Sequence, residues 1–128
     1  MTSGSTAGSP SRYVDTHFEQ GLAMMQGGEY FEAHEELELA WRAAEPEERD
    51  FFQGLVHVTV AWYQAGRGNR NGCTRQLEKA ERRLAAYGPA HRGVDVADVL
   101  RQVRGASVAV ADGSLELEAL GIGIAHDA

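Results

Sequence analysis

The stretch FFQGLVHVTVAWYQA, from Phe51 to Ala65, decides the fold of this chain. It contains no charged residue and no proline, and most of its side chains are apolar or aromatic. On a helix with about 3.6 residues per turn, these side chains form two adjacent stripes that cover roughly half of the circumference or more. A surface helix buries a narrower stripe, so the pattern predicts a central helix that is surrounded by other helices.

Two narrow bands interrupt the apolar surface of this predicted helix. One is a band of small residues, at which a neighbouring helix can approach closely: Gly54, Ala61 and Ala65. The other is a polar line beside the first band, and it contains Gln53 and His57. Polar side chains next to a close helix contact are a natural place for a binding site. We therefore expect any function of the protein to lie along the polar line.

Length, composition and charge restrict the class of protein. The chain has 128 residues, enough for one domain with a substantial core, and its net charge is −7. Its apolar runs are too short to cross a membrane, and its acidity argues against non-specific binding of nucleic acid. The single cysteine, Cys73, excludes an intramolecular disulfide and a Cys-x-x-Cys metal site. We expect a cytoplasmic protein without nucleic-acid or membrane partners.

Charge is unevenly distributed along the chain. Residues 29–50 contain nine acidic and two basic residues, a net charge of −7, whereas residues 67–92 contain seven basic and two acidic residues, a net charge of +5. The two segments should attract each other, either within one chain or across a dimer. Together with an apolar tail, this asymmetry predicts a homodimer or a protein partner.

Capping and periodicity signals divide the chain into about five helices, so we predict an all-α fold, a compact bundle. An internal similarity at a spacing of 40 residues, in which Gly28 corresponds to Gly68, indicates two helical hairpins of one TPR-like design, followed by a short C-terminal helix. The first helix is predicted to begin after a cap at Thr16 and to end at Gly27 and Gly28, the second to run from Glu29 to about Ala44, and the third from Pro46 to Gly66. The fourth is predicted to begin after a cap at Asn69 and to end before Gly88, and the fifth to run from Asp95 to Val103.

The same signals predict three regions along the chain. Residues 1–12 read as a flexible N-terminal leader without the features of a secretory signal, residues 13–105 as the helical bundle domain, and residues 106–128 as a partly irregular tail. Within the tail, residues 107–111 are compatible with an extended segment, Asp112 and Gly113 with a turn, and residues 115–120 with one or two helical turns.

Several segments resemble domain-of-unknown-function family 309. YFEAHE at residues 30–35, followed by Leu37 and Trp41, resembles the YFEAHE…LE..W signature of that family, and FQGL at residues 52–55 resembles its F.QGL segment. The resemblance extends over about residues 15 to 104. It implies a small all-α bacterial or archaeal protein without an established activity, so it provides no catalytic residue to carry over.

Two polar pairs on consecutive predicted helices suggest a ligand-binding site. His34 and Glu38 are one helical turn apart on the second predicted helix, and Gln53 and His57 are one turn apart on the third. If these helices are antiparallel neighbours, the pairs can converge in one crevice with Tyr30 and Trp41 on its rim. We predict that this crevice binds a protein partner or a small ligand, and we expect binding rather than catalysis. The predicted ligand-binding residues are Glu32, His34, Glu35, Trp41, Gln53 and His57.

Two alternatives remain open at the same crevice. His34, His57 and Glu38 are a sufficient ligand set for Zn²⁺ or another divalent metal, and Glu35 could then act as the base of a hydrolase-like enzyme. Without this metal we expect no cofactor. The polar residues could also form a purely structural cluster, since a histidine at the edge of a helix is more often hydrogen-bonded than bound to a ligand.

Overall fold

Five α-helices dominate residues 10–123, the part of the chain that the computed structural model describes. Consecutive helices pack against each other from the first to the fourth, and the fifth packs on the fourth. The predicted all-α bundle is therefore confirmed, whereas the TPR-like character of its hairpins stays a prediction. The helices are α1 Pro10–Gln26, α2 Tyr30–Ala43, α3 Pro46–Gly66, α4 Arg70–Leu84 and α5 Val96–Ala111.

Helix α3 lies at the centre, as its apolar surface predicts. It packs against both α2 and α4, and ten of its residues are buried. At its N-terminal half, the ring of Phe18 from α1 meets Phe51 and Phe52 edge-on, with ring centroids 5.9 and 5.5 Å apart. Burial of a phenylalanine contributes about 1.5–3 kcal/mol. These rings therefore join α1 and α3 through a substantial apolar contact.

Gly54 allows α4 to approach α3 closely. A methyl group at this position would lie 2.7 Å from Cγ and Cδ2 of Leu84 and 3.3 Å from Cβ of Arg83. Ala61 and Ala65 are buried on the same helix, so the predicted band of small residues does lie at a helix contact. A side chain larger than hydrogen at Gly54 would force the two helices apart.

Side-chain caps mark the starts of two helices at the predicted positions. The side chain of Asn69 accepts a hydrogen bond from the backbone N–H of Gly72 at 2.9 Å, and Asp95 accepts one from Asp98 at 3.0 Å. These bonds satisfy N–H groups that have no partner within the helix. The same two caps therefore set where α4 and α5 begin.

The start of α1 differs from the prediction. The helix begins at Pro10, so Thr16 lies inside it and is not an N-cap. Val14 is buried and extends the apolar stripe of Phe18 by one turn, which explains why the helix starts earlier. Residues 10–12 of the predicted leader therefore belong to α1, and the rest of that leader lies outside the described residues.

Helix α5 is longer than predicted, and the segment after it is less regular. The helix continues to Ala111, because Ala106 and Val110 prolong the buried stripe of Val99 and Val103. The prediction of an extended segment at residues 107–111 is therefore wrong. Asp112 and Gly113 do form a turn, but residues 115–120 contain no helical turn. Their backbone groups bond instead to side chains of the bundle, as described below.

A short hairpin between α4 and α5 was not predicted. Ala85–Tyr87 form a single 3₁₀ turn, after which strand β1, Ala90–His91, pairs antiparallel with β2, Val94–Asp95. Arg92 and Gly93 connect the strands with positive φ angles of 50° and 78°, as the tight turns of β-hairpins require. None of the helices in residues 10–123 has the length and apolarity needed to cross a membrane.

We expect Gly54→Ala to lower the free energy of unfolding by about 1–3 kcal/mol, because its methyl group would overlap Leu84. Urea denaturation followed by circular dichroism measures this difference. Gly105→Ala is the matched control, since a methyl group there meets no atom within 4 Å in the interior of α5. It should raise the free energy of unfolding by about 0.5–1 kcal/mol. The same change in both variants would contradict the close approach of α3 and α4.

Candidate ligand-binding site

His34 forms the predicted pair with Glu38, but its hydrogen-bonding partners lie on its own helix. Its Nδ1–H donates to the backbone oxygen of Phe31 at 3.0 Å, and its Nε2 lies 3.5 Å from Oε2 of Glu38. The other carboxylate oxygen of Glu38 lies 3.6 Å from Nη2 of Arg42. The pair is therefore part of a short polar row along α2.

His57 faces α4. Its Nδ1–H donates to Oε1 of Gln76 at 2.7 Å, which leaves the lone pair of the neutral ring on Nε2. Nε2 is buried and has no hydrogen-bond partner among the described residues. Burial lowers the pKa of His57; the bond to Gln76 acts against this effect, and the positive charges of Lys79, Arg83 and Arg82 add to it. The ring is therefore held in its neutral form.

The predicted metal ligands do not come together. In the described part of the chain, no three side chains of His, Cys, Asp or Glu are arranged to hold a metal ion. His34 and Glu38 contact each other on α2, whereas His57 is rotated towards α4 and its cations. The set His34, Glu38 and His57 is thus not a metal site in this structure, and the hydrolase-like alternative loses its metal centre.

The other predicted binding residues lie at different depths. Trp41 is partly buried, and the guanidinium of Arg49 lies 5.6 Å from the centre of its ring. Gln53 is partly buried on α3, while Glu32 and Glu35 are exposed on α2. The ligand-binding roles of these residues and of His57 stay predictions.

A crevice does lie between α2 and α3, at the C-terminal end of α3. Its volume is 190 Å³, and its walls are mostly apolar. Because the first turn of α2 meets the last turns of α3 there, the two helices run antiparallel, as the prediction required. Of the predicted ligand-binding residues only His34 lines the crevice, and Tyr30 lies beside it as expected. The full lining is Tyr30, Phe31, His34, Val60, Tyr63 and Gln64.

Phe31 is the most exposed of the crevice residues that the sequence interpretation missed; the others are Val60, Tyr63 and Gln64. The side chain of Phe31 is 44% exposed, although it is large and apolar. The ring lies 5.5 Å from that of Tyr63 and 5.4 Å from that of His34, measured between centroids. It also borders a shallower groove of 390 Å³, which Glu29 and Glu32 help to line. The sequence did contain a signal for this residue, because Phe31 is a large apolar residue outside the core-facing stripe of α2.

Several acidic residues of segment 29–50 have partners within the chain. Asp50 forms an ion pair with Arg83 of α4 at 3.0 Å, and Glu36 is hydrogen-bonded to Nδ1 of His17 of α1 at 2.5 Å. The exposed Glu32 and Glu35 make no ion pair with another described residue. The predicted attraction between the acidic and the basic segment thus acts within one chain, and the homodimer stays a prediction. Of the acidic residues without an ion pair among the described residues, Glu29 and Glu32 line the groove beside the crevice, whereas Glu45 and Glu47 lie at the opposite end of α3.

A second polar cluster is held together by contacts among its own members. We call it the Glu48 cluster, and it consists of Asp15, Glu48, His91 and Arg92. Arg92 donates from Nε to Glu48 and from Nη1 to Asp15, the latter at 2.8 Å, while His91 donates to Glu48 at 2.7 Å. Burial would raise the pKa of Glu48, but the hydrogen bonds from Arg92 and His91 outweigh it and lower that pKa.

The Glu48 cluster is structural, because its charged groups bind each other. The guanidinium of Arg92 also lies over the rings of Phe52 and Phe18, at 5.0 and 5.5 Å from their centres. The cluster therefore ties the hairpin to α1 and α3, and both carboxylate oxygens of Glu48 are engaged within it.

Together these observations define a small helical-bundle protein with an aromatic crevice between its second and third helices. Residues 18–76 match the family model of a domain of unknown function, DUF309, which confirms the resemblance recognised in the sequence. The matched residues include all of α2 and α3 and thus the whole crevice. The comparison with curated proteins gives no match.

We expect His57 to make the stability of the protein depend on pH. The pKa of His57 in the folded protein lies below its ordinary value near 6.5. As the pH falls below about 6.5, His57 therefore takes up a proton in the unfolded chain before it does so in the folded protein. The contribution of neutral His57 to the free energy of unfolding is therefore fully present above pH 6.5, and it is lost as the pH falls towards the pKa of His57 in the folded protein. Urea denaturation at pH 7.5 and 5.5 should show a larger loss for the wild type than for His57→Gln. An identical loss in both proteins would contradict a neutral, buried His57.

Proposed function

We propose that this protein binds a short segment of a partner protein, one that presents an aliphatic or aromatic side chain next to lysine or arginine. The crevice between α2 and α3 is the binding site. The observation that carries the proposal is the exposed ring of Phe31, which walls an apolar crevice on an acidic surface.

The size of the crevice favours a side chain over a whole small molecule. Pockets for drug-sized ligands usually measure about 300–1,000 Å³. The crevice measures 190 Å³, which is enough for one inserted side chain. The groove of 390 Å³ continues from it past Phe31 and Tyr63, so the adjoining residues of a bound segment have a surface to lie on.

The residues around the crevice favour an aromatic anchor contact. Large aromatic side chains contribute much of the affinity at protein interfaces when a partner covers them. Phe31 and Tyr63 already contact each other, so the pair is held in place before a partner arrives. Such pre-organisation reduces the entropic cost of binding.

The charge at the site favours a basic partner. Glu29 and Glu32 line the groove, and Glu35 follows Phe31 by one turn on α2. Positive residues of the partner would approach faster and in the correct orientation in this field. Arg67 also lines the groove, with its guanidinium 5.6 Å from the ring centre of Tyr63, so the acidic residues stand on the α2 side of the groove.

We expect the peptide Lys-Arg-Leu-Lys-Arg to cause saturable changes in the amide NMR signals of Phe31, Tyr63 and Gln64 in the ¹⁵N-labelled protein. The peptide Glu-Glu-Leu-Glu-Glu should cause none, because its charge is repelled by the acidic surface. Added salt should weaken the binding of the basic peptide.

Phe31→Ala should weaken binding of the basic peptide at least ten-fold. It should change the free energy of unfolding by less than about 1 kcal/mol, because the ring is 44% exposed and lies outside the buried core. Tyr13→Ala is the matched control, since Tyr13 is 42% exposed on α1 and does not line the crevice. Unchanged binding by Phe31→Ala, or equal binding of the two peptides, would contradict the proposal.

A further inference from the structure

The segment that follows α5 is held as an extended peptide on the bundle. We call residues 118–123 the tail segment. It contains no helix or strand, yet Leu120 and Ile122 are only 4% and 6% exposed. These two side chains alternate with glycine, so they point to the same side of an extended backbone. The tail segment is therefore anchored by two aliphatic residues at alternate positions.

Side chains of the bundle bind the backbone of the tail segment. Gln102 of α5 makes a two-point contact with Gly121, donating from Nε2 to its oxygen at 2.6 Å and accepting from its N–H at 2.9 Å. Three further hydrogen bonds join side chains of the bundle to the backbone of the tail segment. Trp62 donates from Nε1 to the oxygen of Glu118 at 2.9 Å, and Gln26 donates from Nε2 to the oxygen of Ile122 at 3.2 Å. The hydroxyl of Tyr30 accepts from the N–H of Leu120 at 3.1 Å.

This arrangement has the properties of a peptide-recognition site. Hydrogen bonds to the main chain provide affinity for any extended segment, and pockets for alternate side chains provide specificity. We call the surface formed by Gln26, Tyr30, Trp62 and Gln102 the tail groove. It comes from four different helices, so the fold assembles it before the tail segment binds.

The connection between α5 and the tail segment is loosely packed. Cavities of 430 and 580 Å³ lie on its two sides, one against α5 and the other against the end of α3. Glu116 and Leu117 border both cavities, and Leu115 and Leu117 are only partly buried. Segments with few buried contacts open locally without unfolding of the whole protein. The loosely packed connection is therefore a point at which the tail segment can separate from the bundle.

We propose that the tail groove is a peptide-binding site whose partner is an extended protein segment with aliphatic residues at two alternate positions. Residues 118–123 occupy it as an internal ligand, and the partner segment binds by displacing them. The tail groove adjoins the site of the proposed function and shares two residues with it: Tyr30 lines both the crevice and the 390 Å³ groove, and Trp62 lines that groove. Because residues 118–123 are tethered to the bundle, they compete with the partner segment at an effective concentration of about millimolar. Only a partner segment that binds the tail groove tightly can therefore displace them in the intact protein.

The full-length double variant Leu120→Asp, Ile122→Asp tests the proposal, because it removes both anchors and leaves the groove unchanged. The probe is a fluorescent peptide of residues 115–123, followed by polarisation. We expect saturable binding to the double variant and at least ten-fold weaker binding to the wild type. The same peptide with aspartate at its two aliphatic positions should not bind, and Gln102→Ala in the double variant should weaken binding at least five-fold.

Two results would overturn the proposal. One is a double variant that keeps the helical circular dichroism of the wild type but does not bind the peptide. The other comes from hydrogen exchange in the wild type, which does not depend on the folding of any variant. The amides of Leu120 and Gly121 should exchange at least 100-fold faster than that of Val103 in α5. Equal exchange at the three positions would show that the tail segment opens only when the whole protein unfolds.

Discussion

The close packing of α4 on α3 at Gly54 is the contact on which the rest of the structure depends. Without a side chain at this position, Leu84 can lie directly against the backbone of α3. The apolar surface of α3 is wide because α2 covers another side of the same helix. A central helix with two covered sides keeps its polar residues only at the edges of the contacts. The positions of His57 and of the crevice follow from this constraint.

The same constraint separates two polar environments that are close in sequence. His57 lies at the α4 edge of α3, where burial and three cations keep its ring neutral. One helical turn or two further on, Val60 and Tyr63 lie at the α2 edge and meet the exposed Phe31. The α4 edge is occupied by contacts within the chain, and the α2 edge remains open to a partner. The proposed binding site therefore lies at the open edge.

The helices were predictable because their signals are local. Asn69 and Asp95 are followed at once by the N–H groups that they cap, and the stripe of α3 repeats within each turn. Where the prediction of α1 and α5 was wrong, tertiary burial was the cause: Val14 and Val110 continue a helix beyond the point where local signals would end it. Such burial depends on a neighbouring element, which a local pattern does not describe.

The site was harder to predict because it depends on how each helix is rotated. The antiparallel arrangement of α2 and α3 and the place of His34 and Tyr30 beside the crevice were anticipated. The orientation of His57 towards Gln76 was not, since a rotation of α3 by a few tens of degrees decides which neighbour it meets. The tail segment was missed for a related reason. Its partners, Gln26 and Gln102 among them, are distant in sequence, and the residue pattern of the tail does not indicate which side chains its backbone will bind.

The Glu48 cluster has a consequence for the way the native state persists. Arg92 joins Glu48 across 44 residues of chain and Asp15 across 77, whereas the helical hairpins form from neighbouring segments. Contacts that close such long loops are favoured only after the local hairpins have packed. Interactions that form after the folding transition state slow unfolding and have little effect on the rate of folding. The ion pairs of Arg92 therefore lengthen the lifetime of the folded protein and do not hasten its formation.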